Sequence, residues 1–149
     1  MTALITEDLV ALDVEVPDRA AVTRLLAERL AAAGRVTDLD GFLADVRARE
    51  EQMPTGLPGG IGIPHARSLH VTVPTLGFAR VSGGVDFGAE DGPANLVFLI
   101  AAPEGGGSEH LTILAKLARK LIHVSFRESL LAAEKPSDVV DLIGKEVAL

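Results

Sequence analysis

The stretch Asn95-Leu96-Val97-Phe98-Leu99-Ile100-Ala101 is a nearly continuous apolar run. Such a run is typical of a central strand that is buried on both faces of a sheet. It is followed by Pro103, Glu104, three glycines and Ser108, a predicted helix N-cap. The apolar face of that helix is formed by Leu111, Leu114, Ala115, Ala118, Leu121 and Ile122. Because ligands of open α/β sheets bind beyond the carboxyl ends of the strands, His110 in the first helical turn lies at a candidate site.

Two amphipathic helices are predicted before this strand. Asp18 can cap the first helix, whose apolar residues follow helical spacing until Gly34 ends it. Thr37 is the predicted cap of the second helix, which runs out near Arg49. Arg49 is therefore expected near a helix C-terminus.

The middle of the chain reads as loops and strands. Residues 53–64 are rich in Pro and Gly, which predicts a loop interrupted by a short strand at residues 61–63. His65 follows this strand directly. Residues 71–81 are predicted as β structure that is broken at Pro74.

Two further helices are predicted near the C-terminus. Ser125 and Glu128 have the spacing of a capping box, and Pro136 can start a last helix. Helices early, strands in the middle and helices interleaved late indicate a sheet with helices on both faces. The fold class expected is α/β, a three-layer sandwich with a mixed, mostly parallel central sheet flanked by helices. Residues 1–149 are expected to form a single domain.

Composition excludes several function classes. The chain has 149 residues, no cysteine and a net charge of -7, with 14 basic and 21 acidic side chains. The negative charge opposes nucleic-acid binding, and a total of 3% aromatic residues without Trp or Tyr leaves few stacking platforms. Absence of cysteine excludes thiol catalysis, Cys-type zinc sites and iron–sulfur clusters. No cofactor, metal or nucleic-acid partner is expected.

Two observations favour a cytoplasmic location. The first ten residues carry Glu7 and Asp8 and lack the basic start and apolar core of a signal peptide. No apolar run approaches the roughly 18 residues that suggest a membrane span. We therefore expect a cytoplasmic protein without direct membrane insertion.

Three residues are candidates for anion or phosphoryl chemistry, and each has a structural alternative. His65 follows Pro64 and a glycine-rich segment whose backbone N–H groups could approach an anion, although a Pro-His pair after glycine is often only a turn. His110 begins a helix whose free backbone donors favour an anion, but it could equally be a solvent-facing histidine. Arg49 could clamp a phosphoryl group with two donors, or satisfy the helix dipole.

Other catalytic motifs are absent from the sequence. It contains no His-Glu-x-x-His pattern for zinc, no Gly-x-Ser-x-Gly nucleophile elbow and no Gly-x-x-x-x-Gly-Lys-Ser/Thr loop for nucleotide phosphates. A phosphoryl group must therefore arrive from a donor other than a bound nucleotide.

Several motifs together resemble the EIIA domain of the fructose/mannitol class, type 2, of the bacterial phosphoenolpyruvate-dependent sugar phosphotransferase system. The resemblance extends over essentially the full length of the chain. The matching stretches are Arg49-Glu50, Pro54-Thr55-Gly56, Gly60-Ile61-Gly62-Ile63-Pro64-His65, Leu96-Val97-Phe98-Leu99-Ile100-Ala101-Ala102-Pro103 and Ser108-Glu109-His110-Leu111. Gly62 departs from the family motif, which commonly has alanine there, and His123 matches no family role.

The resemblance implies a phosphocarrier. His65 would accept a phosphoryl group from the phosphohistidine of the carrier protein HPr and pass it to a cysteine of an EIIB domain on another chain. One ring nitrogen of His65 would attack in line, and the other would donate a hydrogen bond to a backbone carbonyl. His110 and Arg49 would stabilise the transferred group. An alternative is a nitrogen-type regulatory EIIA, in which phosphorylation switches protein binding, and a third is a binding domain that has lost activity.

The resemblance also implies supporting roles at the same site for Thr55, Gly60 and Gly62. Backbone donors at Gly60 and Gly62 would contact the oxygens of the phosphoryl group, and Thr55 would add a hydroxyl donor. The motif segment around residues 83–88 looks most like fructose-type members. Sugar choice in this family belongs to the membrane EIIC domain.

Overall fold

The computed structural model describes residues 4–105 and 109–146, without the side chains of residues 109–111 and 146. The elements in chain order are a short 3-10 helix at Glu7–Leu9, β1 (Val10–Val14), α1 (Arg19–Ala32), α2 (Leu39–Gln52), β2 (Gly56–Leu57), β3 (Ile61–Gly62), β4 (His65–Ser68), β5 (Thr75–Val85), β6 (Ala94–Pro103), α3 (Glu109–Leu121), α4 (Val124–Ala132) and α5 (Pro136–Glu146).

The six described strands form one mixed sheet with β6 at its centre. Its strand order is β1-β5-β6-β3-β2, and β4 also pairs with β6. Pairing is parallel for β1 with β5 and for β3 and β4 with β6, and antiparallel for β5 with β6 and for β2 with β3. The side chains of residues 96–102 are all buried, which confirms the predicted central strand. The mixed, mostly parallel sheet of the predicted α/β sandwich is confirmed.

Helices cover this sheet because each carries an apolar stripe. On α1 the stripe comprises Val22, Leu26 and Leu30, all fully buried, and Leu30 packs over Gly77 of β5. A methyl group at Gly77 would lie 3.2 Å from Leu30 Cδ1, so glycine allows helix and sheet to approach closely. α2 packs against α1 and β4, while α3 packs on β6 and α5 on β1.

Helix starts were predicted with mixed success. Asp18 caps α1 as expected, because its side chain accepts a hydrogen bond from the Ala21 N–H. The predicted cap of the second helix is wrong: Asp38, not Thr37, caps α2 by accepting from the Gly41 N–H. The Thr37 hydroxyl donates instead to the His70 carbonyl across the fold. Two adjacent residues could each cap, and this tertiary contact decides between them.

The C-terminal helices show further differences. The predicted capping box at Ser125 and Glu128 is wrong, since α4 starts after His123 and Ser125 lies inside the helix. Pro136 starts α5 as predicted. The predicted cap Ser108 lies outside the described residues.

The predicted apolar face of α3 is wrong in part. Its buried stripe comprises Ile113, Leu117 and Leu121, whereas Ala115 is exposed and Ile122 is 74% exposed. Apolar residues occur on more than one side of α3, so their periodicity alone does not determine which side packs against the sheet. The Leu111 side chain lies outside the described residues.

Candidate active site

His65 directly follows an interruption between the two short strands that pair with one edge of β6. β3 and β4 pair with the same edge of β6 in one register, with Ile61 opposite Leu96 and His65 opposite Ile100. Pro64 lies in the break and has no N–H for a ladder, although its carbonyl still accepts from the Ile100 N–H. The two short strands are thus one strand broken immediately before His65.

The break lets the His65 ring fold back onto its own chain. His65 Nδ1 lies 2.8 Å from the Ile63 carbonyl oxygen. A carbonyl can only accept, so Nδ1 carries the proton and Nε2 keeps a lone pair in the neutral ring. This is the ring-to-carbonyl hydrogen bond that the sequence analysis expected.

The imidazole is also biased towards its neutral form. Burial lowers the pKa of His65 below its usual value of 6.5, and the positive charge of Arg49 lowers it further. The hydrogen bond to Ile63 and the charge of Glu50 act in the opposite direction without cancelling the effect. A half-buried neutral imidazole with a free nitrogen is a competent nucleophile.

Arg49 lies in the last turn of α2, close enough to His65 for its charge to act on the ring. Its Nη1 donates to the Met53 carbonyl at 3.2 Å, just beyond the helix end. The positive charge of Arg49 thus acts on His65, and its contact with a phosphoryl group stays a prediction. The structure also shows the alternative helix-end role, and one guanidinium has enough donors for both.

Thr55, which is buried, and Glu50, which is half-buried, form a pair beside the site. The Thr55 hydroxyl donates to Glu50 Oε1 at 2.7 Å, and the Thr55 N–H donates to Glu50 Oε2 at 2.9 Å. The Thr55 hydroxyl proton is thus engaged by a carboxylate, which differs from the predicted donor to phosphate. Glu50 lies within the Arg49-Glu50 motif, but no role is predicted for it from the sequence; the signal that could indicate one is its separation of only five residues from Thr55.

Glycine occupies positions 60 and 62 of the motif for two different structural reasons. Gly60 has a positive φ of +78° in the β2–β3 turn, and its carbonyl accepts from the Asn95 and Leu96 N–H groups. Gly62 lies under the Phe87 ring, where a methyl group would be 2.6 Å from Phe87 Cδ2. This contact accounts for glycine where alanine is common. Phosphate binding by the backbone of Gly60 and Gly62 stays a prediction.

His110 is the second residue of α3, in the first turn as predicted. The helix follows the carboxyl end of β6, and β6 is paired along residues 100–103 with the strand that begins at His65. The His110 side chain and residues 106–108 of the glycine loop lie outside the described residues, so its role stays a prediction.

An open cavity of about 200 Å³ lies between α1 and α2. Pro64, Phe87 and Val46 contribute apolar walls, and Arg19, Arg47 and Glu50 contribute charged groups. Arg19 lies 5.7 Å from the Phe87 ring centre and pairs with Glu50 at 3.3 Å. The cavity thus reaches the residue that precedes His65.

Within residues 4–105 and 109–146, no helix has the length and apolar character needed to cross a membrane. The same part of the chain contains no group of three His, Cys, Asp or Glu side chains arranged to hold a metal ion.

Comparison with known proteins identifies the family. The family described as "Phosphoenolpyruvate-dependent sugar phosphotransferase system, EIIA 2" matches residues 3–146. The chain is 40% identical to the PTS system fructose-specific EIIA component of Haloferax volcanii, over 94% of this chain and 92% of that protein. It is 36% identical to the fructose-specific EIIABC component of Bacillus subtilis, over 97% of this chain but only 23% of that protein.

Among solved structures, the nitrogen regulatory protein IIA-Ntr of Neisseria meningitidis superposes with a TM-score of 0.86 at 31% identity. The match covers 94% of this chain and 96% of that one. Fold, motif and family match agree, and the chain belongs to the EIIA type 2 family of the phosphoenolpyruvate-dependent sugar phosphotransferase system.

Proposed function

We propose that this protein is a phosphocarrier that accepts a phosphoryl group on His65 from phospho-HPr and passes it to a cysteine of an EIIB domain. The proposed transfer serves sugar uptake of the fructose type, because the Haloferax volcanii and Bacillus subtilis relatives carry fructose-specific names. Residues 1–149 act as one EIIA domain, which the family match over residues 3–146 supports. The proposed compartment is the cytoplasm.

The observation that carries the proposal is the ring state of His65. Its Nδ1 proton is held by the Ile63 carbonyl at 2.8 Å, and the pKa of the ring is lowered. The Nε2 lone pair is therefore present at neutral pH without a general base. Attack on phosphorus needs little more than alignment and charge stabilisation.

Transfer would occur in two displacements. In the first, the His65 Nε2 lone pair forms a bond to phosphorus while the N–P bond of the donor phosphohistidine breaks, its electron pair returning to the donor imidazole. In the second, a cysteine thiolate of EIIB attacks the same phosphorus and His65 leaves with its electron pair. The Nδ1 proton stays on His65 throughout, hydrogen-bonded to Ile63.

The proposal gives supporting roles to the groups around the ring. Arg49 would stabilise the oxygens of the phosphoryl group with its permanent charge, together with His110. The backbone N–H groups of Gly60 and Gly62 are proposed as weaker donors. Thr55 is reassigned from phosphate donor to partner of Glu50, because its hydroxyl proton is engaged there.

The acceptor is proposed to be an EIIB domain outside residues 1–149. The present chain contains no cysteine, so it cannot supply the thiolate itself. The Bacillus subtilis relative, named as an EIIABC component, is several times longer than the segment that matches. In that relative the A, B and C components belong to one named protein.

The test is intact mass after incubation with phosphoenolpyruvate, Enzyme I and HPr. We expect one acid-labile phosphate on the native protein, none on His65→Ala, and loss of the label after addition of EIIB. His123→Ala is the matched control, because His123 is exposed and its side chain makes no cap hydrogen bond. Full labelling of His65→Ala would overturn the mechanism.

A second candidate is the nitrogen-type regulatory EIIA. The match to the Neisseria meningitidis protein, with 31% identity and a TM-score of 0.86, favours it. Phosphorylation would then add about two negative charges beside Arg49 and change a protein-binding surface. A label that appears on His65 but is not passed to any EIIB would favour this regulatory function over transport.

A further inference from the structure

A hydrogen-bonded chain connects α1 to the nucleophile. Arg19 Nη1 donates to Glu50 Oε2 at 3.3 Å, and Thr55 donates to Glu50 through both its N–H and its hydroxyl. The Thr55 carbonyl then accepts from the Ile63 N–H at 3.2 Å. The Ile63 carbonyl accepts from His65 Nδ1 at 2.8 Å. The chain thus runs without a gap from Arg19 to the imidazole.

The three central members of this chain have little access to replacement water. Thr55 is 8% exposed, Ile63 is 4% exposed, and the Glu50 side chain is 13% exposed. Buried donors that lose their acceptor bear the full cost of desolvation, so loss of the Glu50 carboxylate would leave the Thr55 N–H and hydroxyl at that cost. Hydrogen bonds in such a chain also polarise one another.

The strand break makes the Ile63 carbonyl sensitive to this support. Ile63 and Pro64 separate β3 from β4, so Ile63 lies outside both named strands. Its N–H bond to the Thr55 carbonyl is therefore a main tether of the peptide that holds the His65 ring. Thr55 in turn is held by Glu50 at the end of α2.

We infer that Glu50 is a positioning residue for His65. Through Thr55 and Ile63 it keeps the proton on Nδ1 and leaves Nε2 free, in a role that rests on the proposed phosphocarrier function. Glu50 does not act on the phosphoryl group directly, because a carboxylate offers no donor to phosphate oxygens and would repel them. Its pairing with Arg19 reduces that repulsion.

The first test measures the ring itself, without any transfer reaction. Long-range ¹H–¹⁵N NMR of the free protein reports which nitrogen of His65 is protonated. We expect a single Nδ1–H tautomer in the native protein and a mixture of tautomers in Glu50→Gln. A Gln amide oxygen in the place of Oε2 can accept from the Thr55 N–H and from Arg19, but the NH₂ group in the place of Oε1 then faces the Thr55 hydroxyl without offering it an acceptor. Glu51→Gln is the control, because Glu51 is the exposed neighbour on the same helix.

The second test measures the rate of phosphoryl transfer from HPr. We expect Glu50→Gln to slow transfer by roughly 10- to 100-fold, the size expected when a reacting group is misplaced, with little effect of Glu51→Gln. Thr55→Ser keeps both donors and should stay close to the native rate and tautomer. Thr55→Val removes only the hydroxyl and should give an intermediate effect.

The outcomes separate the two proposals. A native tautomer and a rate within about twofold of native in Glu50→Gln would overturn the positioning role. If Glu50→Gln does not fold, Thr55→Val decides in the same way, with an unchanged tautomer and rate counting against it. Failure of the native protein to accept phosphate would overturn the proposed function, whereas the tautomer measurement would still test Glu50.

Discussion

Replacing Gly62 by alanine would place a methyl group against the ring of Phe87. The new Cβ would lie 2.6 Å from Phe87 Cδ2, 2.7 Å from Cγ and 3.0 Å from Cε2. Carbon atoms in good contact are about 3.5–4.0 Å apart, so the ring must move by about 1 Å. Phe87 is only 1% exposed, lies 5.7 Å from the Arg19 guanidinium and lines the cavity between α1 and α2, so a displaced ring must give up its contacts with Arg19 and with the cavity wall.

These contacts predict a net loss of stability. Overpacking of a buried position costs about 1–3 kcal/mol, and the reduced freedom of the unfolded chain returns about 0.4–1 kcal/mol on replacing glycine by alanine. We therefore expect Gly62→Ala to lower the free energy of unfolding by about 1–2 kcal/mol, which corresponds to a Tm lower by roughly 2–8 °C for a domain of this size. The expected loss depends on the Phe87 ring that lies over this position.

Urea unfolding at constant pH measures this effect. Gly144→Ala is the matched control: Gly144 lies in α5 with open space around it, and alanine there should raise stability by about 0.5–1 kcal/mol. In the double variant Gly62→Ala/Phe87→Leu, the smaller side chain should relieve the clash, with a coupling energy of about 1 kcal/mol. A Gly62→Ala protein as stable as the native one, with no coupling to Phe87, would refute the reasoning.

Three other predictions follow from the described contacts. Burial lowers the pKa of His65 below 6.5, so between the native pKa and 6.5 the unfolded chain binds more protons than the native protein. The free energy of unfolding should therefore rise with pH in that window and level off below it. Urea unfolding at several pH values should show a smaller slope of this free energy against pH in His65→Gln. Arg80 donates to Asp13 and to three carbonyls at the end of α4. Arg80→Met should lower the free energy of unfolding in urea by about 1–3 kcal/mol, mostly because the carbonyls lose their donor. Asp13→Asn should lower it by less. Asp38→Ala should cost about 1 kcal/mol as the true cap of α2, and a larger loss in Thr37→Val would contradict that assignment.

The predicted elements that proved correct are those with strong local signals. A seven-residue apolar run can only be satisfied by burial on both faces, and β6 is that strand. Asp18 as a cap and Pro136 as a first helical residue depend on backbone chemistry within one turn. Such features are independent of the rest of the fold.

Elements without a local signal were missed. β1, β2 and β4 have two to five residues each, and the partners of β1 and β4 lie far away in the chain, as with His65 opposite Ile100. The predicted break at Pro74 within residues 71–81 is confirmed, because the strand begins directly after the proline, at Thr75–Val85. Whether a short segment becomes a strand depends on an edge that another part of the chain provides.

The sequence by itself determined that His65 follows a proline, that Arg49 lies near a helix end, and that the motifs match one family. Only the tertiary structure decided which nitrogen of His65 holds the proton, because the acceptor is a carbonyl exposed by the strand break at Ile63. It alone also assigned the Thr55 hydroxyl to Glu50. A residue type states what a side chain can donate or accept, whereas packing decides which partner is within hydrogen-bonding distance.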